Sequence, residues 1–355
     1  MATIGRERVR VAVLMGGPSS ERDVSLASGD AVCRALDPER FDTRRLEITK
    51  EGRWLAPRRV DALPAPATEP EPTDAAHALA AQGGERPYDV ALLALHGAFG
   101  EDGTVQGLLE LGDVAYVGTG VLGSALNMDK ATAKVVAQAA GIPVCRWLSA
   151  RDSELDDAFI ARVGAELGWP VFVKPSNMGS SVGVSRADDP AALRAALAEA
   201  VRYDEWVVVE EAVDARELEV GVIGNEAPRA SVVGEIVPTH EFYDYEDKYV
   251  DGAAEMVIPA DVPTEVAEQM RELAVQVYRA LRCDGLSRVD FFYEAGEGGR
   301  GLLFNEINTM PGFTKYSMFP ALWDATGLPY AELIDELVRL ALARHQHRSP
   351  HRRLR

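Results

Sequence analysis

The sequence predicts an α/β chain of more than one domain, with a parallel, helix-covered sheet in its first third and an α+β texture beyond it. Three observations carry that expectation. Early in the chain, short apolar runs end at glycine and give way to helical patterns, the alternation of a parallel sheet. From Pro170 onward, β-type runs follow one another closely. The length, 355 residues, exceeds what one hydrophobic core organises, so two or three domains are expected.

In order, residues 9–14 form an apolar run read as a buried strand, broken by Gly16-Gly17-Pro18-Ser19-Ser20. Residues 21–36 read as a helix with acid in its first turn. Residues 89–95 are a second strand, ending in His96-Gly97, and 114–117 a third, ending at Gly118. The stretch 57–84, rich in Ala, Pro and Glu, reads as a loop or insertion. Residues 127–140 are helical by pattern and stop at Gly141-Ile142-Pro143. Strands are expected over 171–174, 182–185, 206–211, 218–223, 231–237, 287–293 and 302–308, and helices over 190–201, 264–281 and 330–343. The Arg- and His-rich end, 344–355, reads as a frayed, solvated tail, with 346–355 disordered.

Composition narrows the function classes. Acidic residues number 56 against 37 basic ones, a formal charge of −19, which disfavours general binding to nucleic acid or an anionic membrane. Small anionic ligands remain open, because a few placed lysines outweigh a distant net charge. Cys33, Cys145 and Cys283 are odd in number and widely spaced, so neither a disulfide framework nor a zinc set follows. The apolar run 11–15 is too short for a signal-peptide core or a membrane span. A cytoplasmic protein is expected.

Two late β runs carry the sharpest chemical signal. Side chains alternate along a strand, so Arg288 shares a face with Asp290, and Glu306 with Asn308. A glycine-rich turn, 294–301, suits a hairpin. A register that pairs Asp290 with Glu306 sets Arg288 opposite Asn308. Facing carboxylates repel. A hard divalent cation removes that repulsion, and two carboxylates with an amide oxygen are the donors magnesium prefers. An exposed charged face is the competing reading. The body holds only His77, His96 and His240, without paired metal spacing, which argues against zinc.

A second signal is Lys174-Pro175-Ser176-Asn177-Met178-Gly179-Ser180-Ser181-Val182-Gly183. A strand ending in lysine and a small-residue loop can offer backbone N–H groups and a point charge to phosphate oxygens. It is no P-loop, and an ordinary hairpin loop would read the same. Gly118-Thr119-Gly120-Val121-Leu122-Gly123 matches G-x-G-x-x-G, but no ribose-binding acid follows, so a dinucleotide site is not expected. Taken singly, Glu21 suits a helix-dipole role, His96 a structural one and Lys130 a surface one. The tyrosine-rich residues 242–249 read as a long loop, either a lid or surface decoration.

Together, GGPSSERDVSLASG (16–29), HGAFGEDGTVQGLLEL (96–111), KPSNMGSSVGVS (174–185), FYDYEDKY (242–249), SRVDFFY (287–293) and NEINTMPGFTKYSMFP (305–320) make a sequence that resembles the D-alanine–D-alanine ligase family of the ATP-grasp superfamily. The likeness covers nearly the whole chain. It implies a three-domain ATP-grasp architecture: an N-terminal α/β domain (1–128), a central subdomain (129–216) and a C-terminal α+β subdomain (217–345). It implies an enzyme that phosphorylates one D-alanine carboxylate with ATP and lets the amine of a second attack the acyl phosphate, for peptidoglycan synthesis. The alternatives are a D-serine or D-lactate acceptor, or a non-catalytic nucleotide-binding relative.

The resemblance also implies roles. Glu21 would hold the first substrate's ammonium, with His96 lining that subsite. Lys130 and Lys174 would contact ATP phosphates under a cover of Gly179, Ser180 and Ser181. Glu210, Glu211 and Val213 would form the hinge beside adenine, Glu217 would hold the ribose, and Asn305 would join the ATP site. Asp290, Glu306 and Asn308 would ligate two Mg2+ or Mn2+ ions. Arg288 and the Gly312 N–H would stabilise the oxyanion. Lys248, Ser317 and Met318 would bind the second substrate, Lys248 also reaching ATP. Ser180 and Tyr249 would latch a lid onto Glu21, and Tyr249 goes with D-alanine as the acceptor. The hinge reads Glu210-Glu211-Ala212-Val213, where some relatives carry lysine and tryptophan. A homodimer is expected.

Overall fold

The computed structural model describes residues 8–60, 71–74, 79, 87–237 and 255–352, the side chains of 350–352 excepted. Three sheets organise these residues. The first contains β1 (Val9–Gly16), β2 (Phe41–Ile48), β3 (Trp54–Leu55), β4 (Arg58–Arg59), β5 (Pro72–Thr73), β6 (Val90–Leu93) and β7 (Ala115–Tyr116). Its spatial order is β5-β3-β2-β1-β6-β7, with β4 against β2. β1 runs parallel to β2 and β6, and β6 parallel to β7, as the strand–helix alternation leads one to expect. The antiparallel β3, β4 and β5 extend one edge, and β4 and β5 fall inside the stretch expected as loop.

The alternation along β1 buries both faces. Val11, Val13 and Met15 enter one core with α1 (Arg22–Ala35), while Ala12 and Leu14 enter another with α2 (Thr104–Leu111). Two short helices follow, α3 (Val121–Met128), which the sequence pattern does not predict, and α4 (Lys130–Ala139), which starts three residues later than the helix expected over 127–140. The break is Asp129, whose side chain caps α4 by accepting from the Thr132 N–H at 2.7 Å.

The central sheet is antiparallel, ordered β10-β9-β11-β8, from β8 (Trp147–Arg151), β9 (Val171–Pro175), β10 (Ser185–Ala187) and β11 (Trp206–Glu211). It shares its own core with α5 (Asp157–Glu166) and α6 (Pro190–Ala200). Asp189 caps α6 and Pro190 opens it, which is why that boundary is readable in sequence. The strand expected over 182–185 begins only at Ser185, because positive φ at Ser180, Ser181 and Gly183 keeps the preceding chain looped.

The third sheet is ordered β14-β13-β12-β15-β16, from β12 (Arg216–Gly224), β13 (Arg229–Val237), β14 (Glu255–Val257), β15 (Gly285–Glu294) and β16 (Gly301–Asn308). Helix α7 (Thr264–Ala280) and Ala133 and Ala137 of α4 pack on one face. Helices α8 (Met318–Ala325) and α9 (Tyr330–Arg352) carry Phe319, Trp323, Leu333 and Leu337 into the core of the first sheet.

The C-terminal expectation is corrected here. Residues 346–352 continue α9 rather than fray. Arg344 is only 7% exposed: its guanidinium donates to the carbonyls of Gly118 and Tyr116 and lies 4.4 Å from the Tyr116 ring centre. Arg348 pairs with Asp284 at 2.8 Å. Those partners are remote in sequence, so local composition could not reveal them.

Candidate active site

The hairpin of β15 and β16 has the register expected from side-chain alternation. Asp290 faces Glu306, and Arg288 faces Asn308. On the other side of β15, Glu219 of β12 pairs with Asp290, so three carboxylates stand in a row across three strands. One guanidinium serves this row. Arg288 donates to Asp290 through Nε at 2.8 Å and Nη2 at 2.7 Å, and its Nε lies 2.9 Å from Glu219 Oε2. Asn308 Nδ2 donates to Asp290 Oδ2 at 2.9 Å. Among the described residues no three His, Cys, Asp or Glu side chains gather as a metal site. The donor set here is two carboxylates and an amide, which suits a hard cation once Arg288 turns from Asp290 toward Glu219.

Beside it lies a cluster of opposite sign. Glu210 at the end of β11 is 2% exposed and takes two ammonium groups, Lys174 at 2.7 Å and Lys134 at 2.9 Å. Burial alone would raise the Glu210 carboxyl, yet Lys134 and Lys174 hold it down at about 2. Burial pulls both lysines down, but Glu210 outweighs it and raises them above their ordinary value, with Glu306 adding to the effect on Lys174. All three groups stay ionised. Cys145 nearby is pushed up to about 11, chiefly by burial and then by Glu210, and remains a thiol.

Lys130 bridges the two clusters. It opens α4, donates to the Met178 carbonyl and lies 3.8 Å from Glu306 Oε2. A small cleft here is lined by Glu101, Lys130, Gly179, Glu306 and Asn308 among others. The loop after Lys174 holds Ser180 and Ser181 at φ 50° and 57°, an uncommon conformation for side-chain-bearing residues. It places Ser180 Oγ to donate to Glu21 Oε1. Gly97 is confined from the same side: at φ 73°, a Cβ there would lie 2.4 Å from Ser19 Oγ and 2.9 Å from Glu21 Oε2.

His96 is buried, and burial lowers its pKa against the opposing pull of Glu21 and the Met310 carbonyl. Nδ1 donates to that carbonyl at 2.9 Å, leaving Nε2 to accept from Ser28 Oγ at 3.2 Å. The imidazole also borders a cavity of about 620 Å3 bounded by Trp54, Leu95, Phe99 and Leu108.

The expected nucleotide residues are more constrained than the sequence suggests. Glu211 is occupied by Arg146 at 2.7 Å and Arg300 at 2.5 Å, joining the central sheet to the β15–β16 hairpin. Val213 and Glu217 are half-buried on the loop after β11 and on β12. Asn305 offers its carbonyl to Lys134 at 3.3 Å. Ser317 Oγ accepts from the Thr314 N–H at 3.1 Å, and a Cβ on Gly312 would meet that hydroxyl at 3.1 Å. Met318 packs with Ile236 and Leu322, so its backbone is what it offers a ligand. Lys248 and Tyr249, with the rest of the expected lid at 242–249, lie outside the described residues.

Sequence reasoning missed Lys134, Glu219 and Glu101. A faint signal existed for two of them. Lys134 is four residues after Lys130, on the same helical face, and two like charges so placed ask for an anion. Glu219 shares a strand face with Glu217, in the strand that turns out to border Asp290. Glu101 sits within the quoted 96–111 stretch.

Comparison with known proteins bears on the whole chain. The D-ala D-ala ligase N-terminus profile matches residues 10–119, and the D-ala D-ala ligase C-terminus profile matches 136–339. The D-alanine–D-alanine ligase of Deinococcus radiodurans is 48% identical, over 94% of this chain and 98% of its own. That of Geobacillus thermodenitrificans is 45% identical, over 96% and 97%. Among solved structures, the D-alanine–D-alanine ligase from Coxiella burnetii superposes with a TM-score of 0.85 at 32% identity, over 98% of this chain and 99% of its own. The VanG D-Ala:D-Ser ligase from Enterococcus faecalis gives 0.83 at 32%, over 94% and 100%. With both profiles matched and relatives this similar along nearly its full length, the chain belongs to the D-alanine–D-alanine ligase family.

Proposed function

We propose that the Lys- and Asp-lined clusters form one catalytic cleft, in which a nucleotide and two amino acids meet. As a member of its family, the chain is an ATP-dependent ligase that joins two D-alanines into D-alanyl-D-alanine for peptidoglycan synthesis. The γ-phosphoryl group passes to the first carboxylate and ADP leaves. The second amine then attacks the acyl carbon, sheds a proton, and phosphate departs from the tetrahedral intermediate. Because the acyl phosphate supplies the leaving group, the protein need only align the partners, stabilise charge and exclude water.

Residue roles complete the proposal. Glu21 takes the first ammonium, held in place by Ser180, while His96 shapes that subsite from behind. Lys130 and Lys174 take phosphate oxygens, with the Gly179-Ser180-Ser181 loop over them. The backbone groups of Glu210, Glu211 and Val213 face the adenine, the Glu210 side chain being taken by Lys134 and Lys174, and Glu217 and Asn305 complete the nucleotide site. Asp290, Glu306 and Asn308 would hold two Mg2+ or Mn2+ ions, which would neutralise the phosphates. Arg288 and the Gly312 N–H face the oxyanion. Ser317, Met318 and Lys248 receive the second substrate, Lys248 also reaching ATP, and Tyr249 completes the latch. Domain limits at 128 and 216 are supported by sheets confined to 9–116, 147–211 and 216–308. A cytoplasmic homodimer belongs to the same reading. Among the described residues no helix is long and apolar enough to cross a membrane, and Leu111 and Leu122 stand exposed on the adjoining helices α2 and α3.

One observation carries the proposal: a paired Asp290–Glu306 carboxylate row lies beside Lys130, with Glu306 also acting on Lys174. Phosphate release from ATP and Mg2+ should require a D-amino acid and be fastest with D-alanine, with D-serine and D-lactate as parallel arms. No release with any of them would refute the reading.

A further inference from the structure

The two lysines on Glu210 differ in what else they can reach. Lys174 is the last residue but one of β9, ahead of the Gly179–Ser181 loop, keeps 14% of its side chain exposed and feels Glu306 across the cleft. Lys134 has 1% of its side chain exposed. Its ammonium meets Glu210 at 2.9 Å, the Asn305 carbonyl at 3.3 Å and the Cys145 thiol at 3.7 Å. It sits one helical turn beyond Lys130 on α4. A fully buried lysine is costly and rare without a specific partner. Here two buried cations share one carboxylate, leaving one positive charge over.

That surplus separates the two roles. If Glu210 had only Lys174, the pair would be neutral, and moving Lys174 to a phosphate would strand a buried carboxylate. With Lys134 fixed on the other oxygen, Glu210 keeps a counter-ion when Lys174 turns away. We infer that Lys134 is a positioning residue for ATP: it holds Glu210 permanently, so that Lys174 can transfer its charge from Glu210 to a phosphate oxygen. This rests on the ligase reading and deepens it. Lys134 touches neither the nucleotide nor the amino acids; it acts through Glu210.

The test is a double-mutant cycle read by calorimetric titration of ADP with Mg2+, without D-alanine, on folded full-length protein. Lys134→Met should weaken ADP binding about tenfold or more, because Glu210 then captures Lys174. The KM for ATP should rise, with the KM for D-alanine unchanged. Adding Glu210→Gln to Lys134→Met removes the captor and should return ADP affinity to within about threefold of wild type. A merely structural lysine predicts no such return. Wild-type ADP affinity in folded Lys134→Met, or a double variant as weak as the single one, overturns the inference. Should Lys134→Met fail to fold, the double variant decides alone: near-wild-type ADP binding supports the role, and binding more than about tenfold weaker overturns it. D-alanine-dependent phosphate release by the wild type reports separately on the ligase reading.

Discussion

The cleft brings two ionic clusters together that are built on opposite rules. Around Glu210 two ammonium groups share one carboxylate, a sum of +1. Around Arg288 one guanidinium meets Glu219 and Asp290, and Glu306 faces Asp290 across the hairpin, a sum of −2 over these four groups; Lys130 lies 3.8 Å from Glu306. Unbalanced charge at a partly desolvated site is expensive, and a fold selected for stability alone would pair it or replace it. The imbalance has a direction in each case. An anion would complete the lysine cluster and cations the carboxylate row, and under the proposed function a metal-bound nucleotide would bring both. In the structure each cluster closes on itself: Lys174 rests on Glu210 and Arg288 on Asp290.

The largest effects should come from removing the group each cluster offers its ligand. Lys174→Met and Asp290→Asn should both reduce turnover by about 100-fold or more, but along different axes. Lys174→Met should lose ADP affinity even without metal. Asp290→Asn should keep metal-free ADP binding and lose the gain that Mg2+ brings. Calorimetry with and without Mg2+ separates them; identical profiles for the two variants would mean that the clusters are not specialised by sign.

A smaller effect tests whether the carboxylate row has its own counterpart to Lys134. Glu219 is 6% exposed, and it gives Arg288 a second carboxylate when Asp290 is engaged elsewhere. Glu219→Gln keeps the shape but weakens that alternative. The Mg2+ concentration for half-maximal activity should rise about three- to tenfold, with little change in melting temperature. An unchanged Mg2+ requirement would show that Arg288 needs no second partner.

How much of this was legible beforehand depends on the range of the interactions. The Asp290–Glu306 pairing was readable because a hairpin turn and strict alternation leave one sensible register. The parallel first sheet was readable from its glycine-ended apolar strands. Lys134 was hardly so, because a lysine four residues after another in an amphipathic helix looks like a surface lysine until β11 brings Glu210 against it. Arg344 was hidden for the same reason: its partners lie on the loop after β7 and on Tyr116. The start of α4 at Lys130 is local, set by its Asp129 N-cap, but Asn127 and Met128, the end of α3, extend the helical pattern ahead of it.

Glu101 supplies the subtlest probe, because it stands where the clusters meet. Burial and the Glu21 carboxylate push its carboxyl up to about 8, while the Gly97 N–H, donating at 2.8 Å, and Lys130 pull the other way. In the folded protein it therefore keeps a proton that the unfolded chain gives up near the ordinary value of 4.5. The stability from this group is fully present below about 4.5 and is lost as the pH rises toward 8. Glu101→Gln preserves the acceptor for Gly97 and cannot ionise. Its melting temperature relative to wild type should therefore climb between pH 5 and pH 8, by about 2 °C or more. A difference that stays flat over that interval would mean that Lys130 holds Glu101 ionised, and that the boundary between the clusters is already neutralised before any ligand arrives.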